Sequence, residues 1–134
     1  MKVFLDTNIL LDFLGEDRPL HAEAVQIVRH LIMNDIETYL SEDMLTTIYY
    51  ISKEKAKVLE FFETVLQIWK VVSFGKERLF EAIAISKEGK DFEDVLQCLS
   101  AKEYQCNTLI TNDKNFYSCG IEIINSTKFL SSIE

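Results

Sequence analysis

Lys2 to Asp12 reads KVFLDTNILLD, and this stretch decides the fold. Val3, Phe4 and Leu5 form an unbroken apolar run, the pattern of a short parallel strand covered on both faces. The run stops on Asp6; Thr7 and Asn8 follow, and an apolar helical stretch from Ile9 ends on a second acid, Asp12. In open α/β sheets ligands gather outside the carboxyl ends of the strands, so a carboxylate there faces a site. Taken alone, the stretch has a simpler reading, in which Asp6 or Asn8 only caps the helix.

The same logic recurs along the chain. Pro19 stands where a first helical turn would begin, and Ala24, Val25, Ile27, Val28, Leu31 and Ile32 follow at helical spacing up to Asn34 and Asp35. Ile36 to Leu40 reads as a second strand, and Ser41 as the N-cap of a helix with Met44, Leu45, Ile48 and Tyr49 on one face. After a charged break at Lys53 to Lys57, an amphipathic stripe runs through Val58, Leu59, Phe62, Val65, Leu66 and Trp69. Val71 to Phe74 reads as a third strand, and Leu79, Phe80, Ile83 and Ala84 mark a further helix ending near Gly89. These stripes read as core. A helix opens at Lys90 to Asp94, Thr108 to Thr111 and Ile121 to Ile124 read as the last strands, and Ser126 caps a final short helix. Strands alternating with helices predict right-handed crossovers and a parallel sheet between helical layers.

The chain has 134 residues, enough for a core that needs neither disulfides nor structural metal, and no linker or repeat divides it, so one domain over 1–134 is expected. It is 48% apolar, and no apolar run approaches a membrane span. With no signal-peptide pattern at the N-terminus, a cytoplasmic location and no membrane contact are expected. Cys98, Cys106 and Cys119 are odd in number and form no C-x-x-C pair, so free thiols are expected rather than a disulfide or a zinc site. His21 and His30 read as helix-surface residues.

A net charge of −8 argues against nucleic-acid binding through a broad basic face. It leaves a nuclease open, because divalent cations held by converging acids reverse the local sign and bring phosphate in. Asp6 ends the first strand, Asp113 lies just past Leu109 and Ile110, and Asp91 and Asp94 lie on the first turn of a helix. Singly, each has a structural explanation in capping or the helix dipole. On one edge of a parallel sheet they would meet, and like charges brought together must be protonated, paired or bridged by metal. Carboxylates without nitrogen ligands favour Mg²⁺ or Mn²⁺, the equipment for phosphodiester hydrolysis by activated water.

The order and spacing of DTNILLDFL, YLSEDMLTTIYYI, KDFEDVLQCLSA, LITNDKNF and IEIINSTKFL make the chain resemble the PIN-domain ribonucleases, which include the toxins of VapC-type toxin–antitoxin pairs. The resemblance spans essentially the whole chain. It implies a three-layer α/β/α sandwich with a central parallel sheet of about five strands. It also implies a metal-dependent endoribonuclease that cleaves single-stranded RNA, with Mg²⁺ or Mn²⁺ as cofactor and an antitoxin protein as partner. The family's acids fall on Asp6, Asp94 and Asp113, with Asp91 as an accessory acid and Thr7, Asn8, Thr111 and Asn112 as supporting polar positions. One position departs from the pattern. Where the family commonly carries an acid on the helix after the second strand, this chain has Thr47; Asp43, one turn earlier on the same face, is the nearest substitute. The alternative reading is therefore a catalytically weakened PIN fold kept for binding nucleic acid or protein. Tyr49 with Tyr50, and Phe61 with Phe62, offer a homodimer face, although core is the simpler fate for most of these aromatics.

Overall fold

A computed structural model describes residues 1–133. Their elements run β1 (Lys2–Leu5), α1 (Thr7–Leu14), α2 (His21–Met33), β2 (Glu37–Ser41), α3 (Glu42–Ile51), α4 (Lys55–Val65), β3 (Lys70–Val72), α5 (Gly75–Ser86), α6 (Phe92–Glu103), β4 (Thr108–Ile110), β5 (Glu122–Ile124) and α7 (Ser126–Ser132). The strands form one sheet in the order β3-β2-β1-β4-β5, and every pairing is parallel.

β1 is central and takes hydrogen bonds from both sides, which explains its uninterrupted apolar run: Val3, Phe4 and Leu5 are fully buried. From β1 the chain moves outward to β2 and β3, then crosses back to the other side of β1 for β4 and β5. Right-handed crossovers put helices made in opposite directions of travel on opposite faces. Accordingly α1 to α4 and α7 form one connected layer, and α5 packs with α6 in another, giving the expected three-layer sandwich.

The larger core lies under the first layer, where Phe4, Leu5, Ile9, Leu10, Ile27, Leu31, Leu40, Met44, Ile48, Ile110 and Phe129 are all closed off from solvent. Each such side chain contributes roughly 1.5–3 kcal/mol by leaving water. A smaller cluster of Ala82, Val95, Leu96 and Leu99 joins α5 to α6. Phe61 and Phe62 belong to an aromatic group with Phe13 and Trp69, whereas Tyr50 is 85% exposed.

Several sequence expectations are corrected. The α5 stripe is not core: Leu79, Phe80 and Ile83 face solvent, and Ala82 is the residue of that helix that is buried. Leu59 and Leu66 are likewise about half exposed. Helical periodicity marks an apolar face without saying whether anything covers it. Ser41 occupies the N-cap position of α3, but its hydroxyl makes no capping bond. Asn125, not Ser126, caps α7, its side chain accepting from the Lys128 N–H at 2.8 Å. His21 is more than a surface residue, since its Nδ1 lies 2.9 Å from the Asp12 carbonyl oxygen and ties α2 to α1. Asp12 itself pairs with Arg18 at 2.7 Å.

The free-thiol expectation fails for two of the three cysteines. Cys98 on α6 is bonded to Cys119 in the β4–β5 connection, 21 residues later. No short-range motif announces this pair; the fold lays the connection against α6. Cys106 stays free and buried, and burial pushes its thiol up to about 11. Cross-linking a loop of this length stabilises a protein by about 3 kcal/mol through the unfolded state. Urea unfolding followed by the fluorescence of Trp69, with and without a thiol reductant, is expected to differ by about that amount. Superimposable curves would show that the bond contributes nothing.

Candidate active site

Because every strand is parallel, all carboxyl ends share one edge of the sheet. The strand order reverses between β1 and β4, which makes that place the switch point at which such sheets collect ligands. Asp6 follows β1 directly, and Thr111 to Asp113 follow β4. A helix leading into a parallel strand runs against it, so α6 begins at the same edge, with Asp91 at its N-cap and Glu93 and Asp94 on its first turn. The adjoining start of α3 contributes Asp43.

Asp6 stands at the N-cap position of α1, yet its carboxylate makes no capping bond. Instead Oδ2 accepts from the Thr111 hydroxyl at 2.7 Å, and the Asp6 backbone N–H donates to the Ile110 carbonyl at 3.1 Å. The carboxylate is buried, and burial raises its pKa. Hydrogen bonds from Thr111, the Thr7 backbone and Gln97 work against that rise, while the charge of Asp113 adds to it. Thr111 serves both acids, since its Oγ1 also accepts from the Asp113 N–H at 3.1 Å.

Asp94 is buried as well, 7% exposed. Its carboxyl is pushed up to about 8, first by burial, then by the charges of Asp91, Asp6 and Asp113, and by a hydrogen bond that its protonated form makes with Asp113. Asp113 lies at the exposed rim, where its Oδ1 accepts from the Asn115 N–H at 2.9 Å. Asp94 therefore senses Asp6 and Asp113, and Asp6 senses Asp113, across a single edge. None of them, nor Asp43, Asp91 or Glu93, has a Lys, Arg or His salt-bridge partner among the described residues.

The other expected positions divide. Asp91 is the α6 N-cap, its Oδ1 accepting from the Asp94 N–H at 3.0 Å, as the capping reading requires. Thr7 is buried inside the cluster, donating to Glu93 Oε1 at 3.5 Å and accepting from Gln97 Nε2 at 3.1 Å. Asn8 is exposed. Asn112 turns away from the acids, and its Oδ1 takes the Ser126 N–H and hydroxyl at 3.0 and 3.1 Å, latching α7 to β4. The Thr47 hydroxyl donates to the Asp43 carbonyl within its own helix at 3.4 Å. Asp43 Oδ1 is buried without a hydrogen-bond partner among the described residues.

Glu93 and Gln97 join this cluster through Thr7 and are not prominent in the sequence, where the neighbouring aspartates hold the pattern. Their i,i+4 spacing on α6 was the available signal. Glu93 is half-buried, and burial followed by the charges of Asp43, Asp6 and Asp91 raises its pKa. The donor set is all oxygen, it repels itself, and it leaves Asp43 Oδ1 unpartnered, which is the chemistry of a hard-cation site. The side chains converge without closing: among the described residues no three Asp, Glu, His or Cys groups stand as a ready metal-ligand set.

A parallel α/β protein with carboxylates gathered at the switch point of its sheet is the class that fold and site define. The family model described as PIN domain matches residues 3–121, and this chain belongs to that family. It is 38% identical over 133 residues to Ribonuclease VapC1 of Aquifex aeolicus (strain VF5), covering 96% of this chain and 92% of that protein. Among solved structures, VapBC2 from Rickettsia felis bound to a DNA fragment from its promoter shares the fold at a TM-score of 0.67 and 19% identity, over 93% of this chain and 98% of that one. Mycobacterium tuberculosis VapC20, a Sarcin-Ricin loop cleaving toxin, shares it at 0.68 and 13%, over 89% and 95%. No helix among the described residues is long and apolar enough to cross a membrane.

The electrostatics predict a pH signature. A carboxyl whose pKa rises from 3.8 to about 8 on folding binds its proton more tightly in the folded chain. Its contribution to stability is full at pH values below about 4 and is lost as the pH climbs towards about 8. Asp6 and Glu93 shift in the same direction and add to the slope. Thermal melts of metal-free protein are expected to fall in midpoint between about pH 5 and pH 8, and Asp94→Asn is expected to flatten most of that decline. An unchanged slope in the variant would remove Asp94 as its source.

Proposed function

We propose that this chain is an endoribonuclease that cleaves single-stranded RNA with one or two Mg²⁺ or Mn²⁺ ions, and that it acts as the toxin of a toxin–antitoxin pair. The observation carrying this reading is the placing of Asp6, Asp94 and Asp113, from three distant parts of the chain, at the switch-point edge with no basic salt-bridge partner among the described residues. Kinship with a ribonuclease and fold likeness to toxins of VapBC pairs support it.

In this reading Asp6, Asp94 and Asp113 would hold the cation, with Asp91 as an accessory acid. When bound, the cation supplies the positive charge that offsets the acids, attracts phosphate and activates water. The chain's own residues prepare for it. Thr111 holds Asp6 and the backbone of Asp113 in one relative position. Asp94 releases its proton as it takes up the ligand role, so binding tightens with rising pH up to about 8. No Ser, Cys or His nucleophile is required. Outside the chain, the reading calls for an antitoxin protein as partner, and exposed Tyr49, Tyr50 and Ile51 offer a face for a second copy in a homodimer.

A second reading, a binding module on a weakened PIN fold, is favoured by Thr47 in place of an acid. Calorimetric titration with Mn²⁺ separates the two. Saturable binding that disappears in Asp94→Asn supports the nuclease; no saturable binding supports the module. Asp6→Asn is expected to lower metal-dependent cleavage of a single-stranded RNA by more than about 100-fold while the far-ultraviolet circular dichroism is unchanged. Full cleavage by that variant at matched metal would take Asp6 out of the mechanism.

A further inference from the structure

Thr47 leaves the α3 side of the cluster without the acid that the family pattern has there, and its hydroxyl is already engaged with Asp43 of its own helix. The first turn of α6 comes at the same space from the opposite side. Glu93 is one methylene longer than the aspartates beside it, and it is turned inward: half-buried, with Oε1 3.5 Å from the Thr7 hydroxyl. An acid that served only the helix dipole would gain by staying in solvent. On the α3 side, Asp43 Oδ1 is buried with no hydrogen-bond partner among the described residues.

Behind Glu93 stands a brace. Gln97, one turn further along α6, is fully buried and donates from Nε2 to Thr7 Oγ1 at 3.1 Å, fixing the hydroxyl that meets Glu93. Its Oε1 is left without a hydrogen-bond partner among the described residues. A buried amide oxygen in that condition is costly, and beside an acid cluster it is satisfied by a donor brought in from outside, such as a cation's water. This orphaned oxygen points to a ligand independently of the acids' own arrangement.

We infer that Glu93, braced by Gln97 through Thr7, is the fourth carboxylate of the cation site, entering from α6 in place of the acid absent at Thr47. The inference rests on the metal-dependent reading above. It makes Thr47 a relocated charge rather than a lost one.

The test is Mn²⁺ binding by calorimetry, alongside the rise in melting temperature that Mn²⁺ produces, for the wild type, Glu93→Gln, the double variant Glu93→Gln with Thr47→Glu, and Glu88→Gln as an exposed control. Glu93→Gln is expected to bind about 10-fold more weakly and to show a smaller Mn²⁺-induced shift. Its metal-free melting temperature is expected to be equal to or above that of the wild type, which separates a lost ligand from a damaged fold. Thr47→Glu in the Glu93→Gln background is expected to recover most of the affinity, and Glu88→Gln to match the wild type. A wild type that binds Mn²⁺ and a Glu93→Gln variant that binds it equally well would overturn this inference alone. A wild type with no saturable Mn²⁺ binding would overturn the metal-dependent reading, and this inference with it.

Discussion

The parallel pairing of β1 with β4 is the constraint on which the site depends. Val3, Phe4 and Leu5 lie opposite Thr108, Leu109 and Ile110, so residues more than a hundred positions apart become neighbours at one edge. The pairing is finished by two bonds just beyond the strands, from the Asp6 N–H to Ile110 and from the Thr111 hydroxyl to Asp6. Without that register Asp6 would be a helix cap in an ordinary loop. With it, the first and last thirds of the chain share a cluster of charge.

That cluster is built against electrostatic preference. Two aspartates are buried at this edge, and burial first, then the charges of Asp91, Asp6 and Asp113, pushes the Asp94 carboxyl up to about 8. Hydrogen bonds from Thr111 and Gln97 ease the burial of Asp6 without neutralising it. The remainder of the fold supplies the stability that this arrangement consumes, chiefly through the closed core beneath α1, α2 and α3. Acidity overall and affinity for phosphate need not conflict, since the sign of the field at this edge would follow what the acids hold.

Much of this was legible in the chain. Continuous apolar runs at Val3–Leu5 and Leu109–Ile110 identified buried parallel strands, and acids directly after them marked the edge where they would meet. What escaped had no local signature. The Cys98–Cys119 bond joins segments that only the tertiary fold brings together, and the exposed stripe on α5 has the same periodicity as a buried one. Capping propensity favoured Ser41 and Ser126, but tertiary contacts engaged the Ser126 hydroxyl with Glu23 and Asn112 and left α7 to be capped by Asn125. Glu93 was hidden because a glutamate on a first helical turn already has a sufficient local explanation, and its inward orientation depends on Thr7 and Gln97.

The Cys98–Cys119 bond divides the acids into two mechanical groups. Asp113 lies inside the covalent ring that the bond closes and Asp94 stands one turn before it on the same helix, α6, whereas Asp6 reaches them only through a seam of hydrogen bonds between neighbouring strands. Thermal breathing along that seam would carry Asp6 away while the other pair kept its spacing. The persistence of the whole constellation is thus limited by the weakest part of the seam, and Thr111, whose single hydroxyl touches both sides, is its rivet.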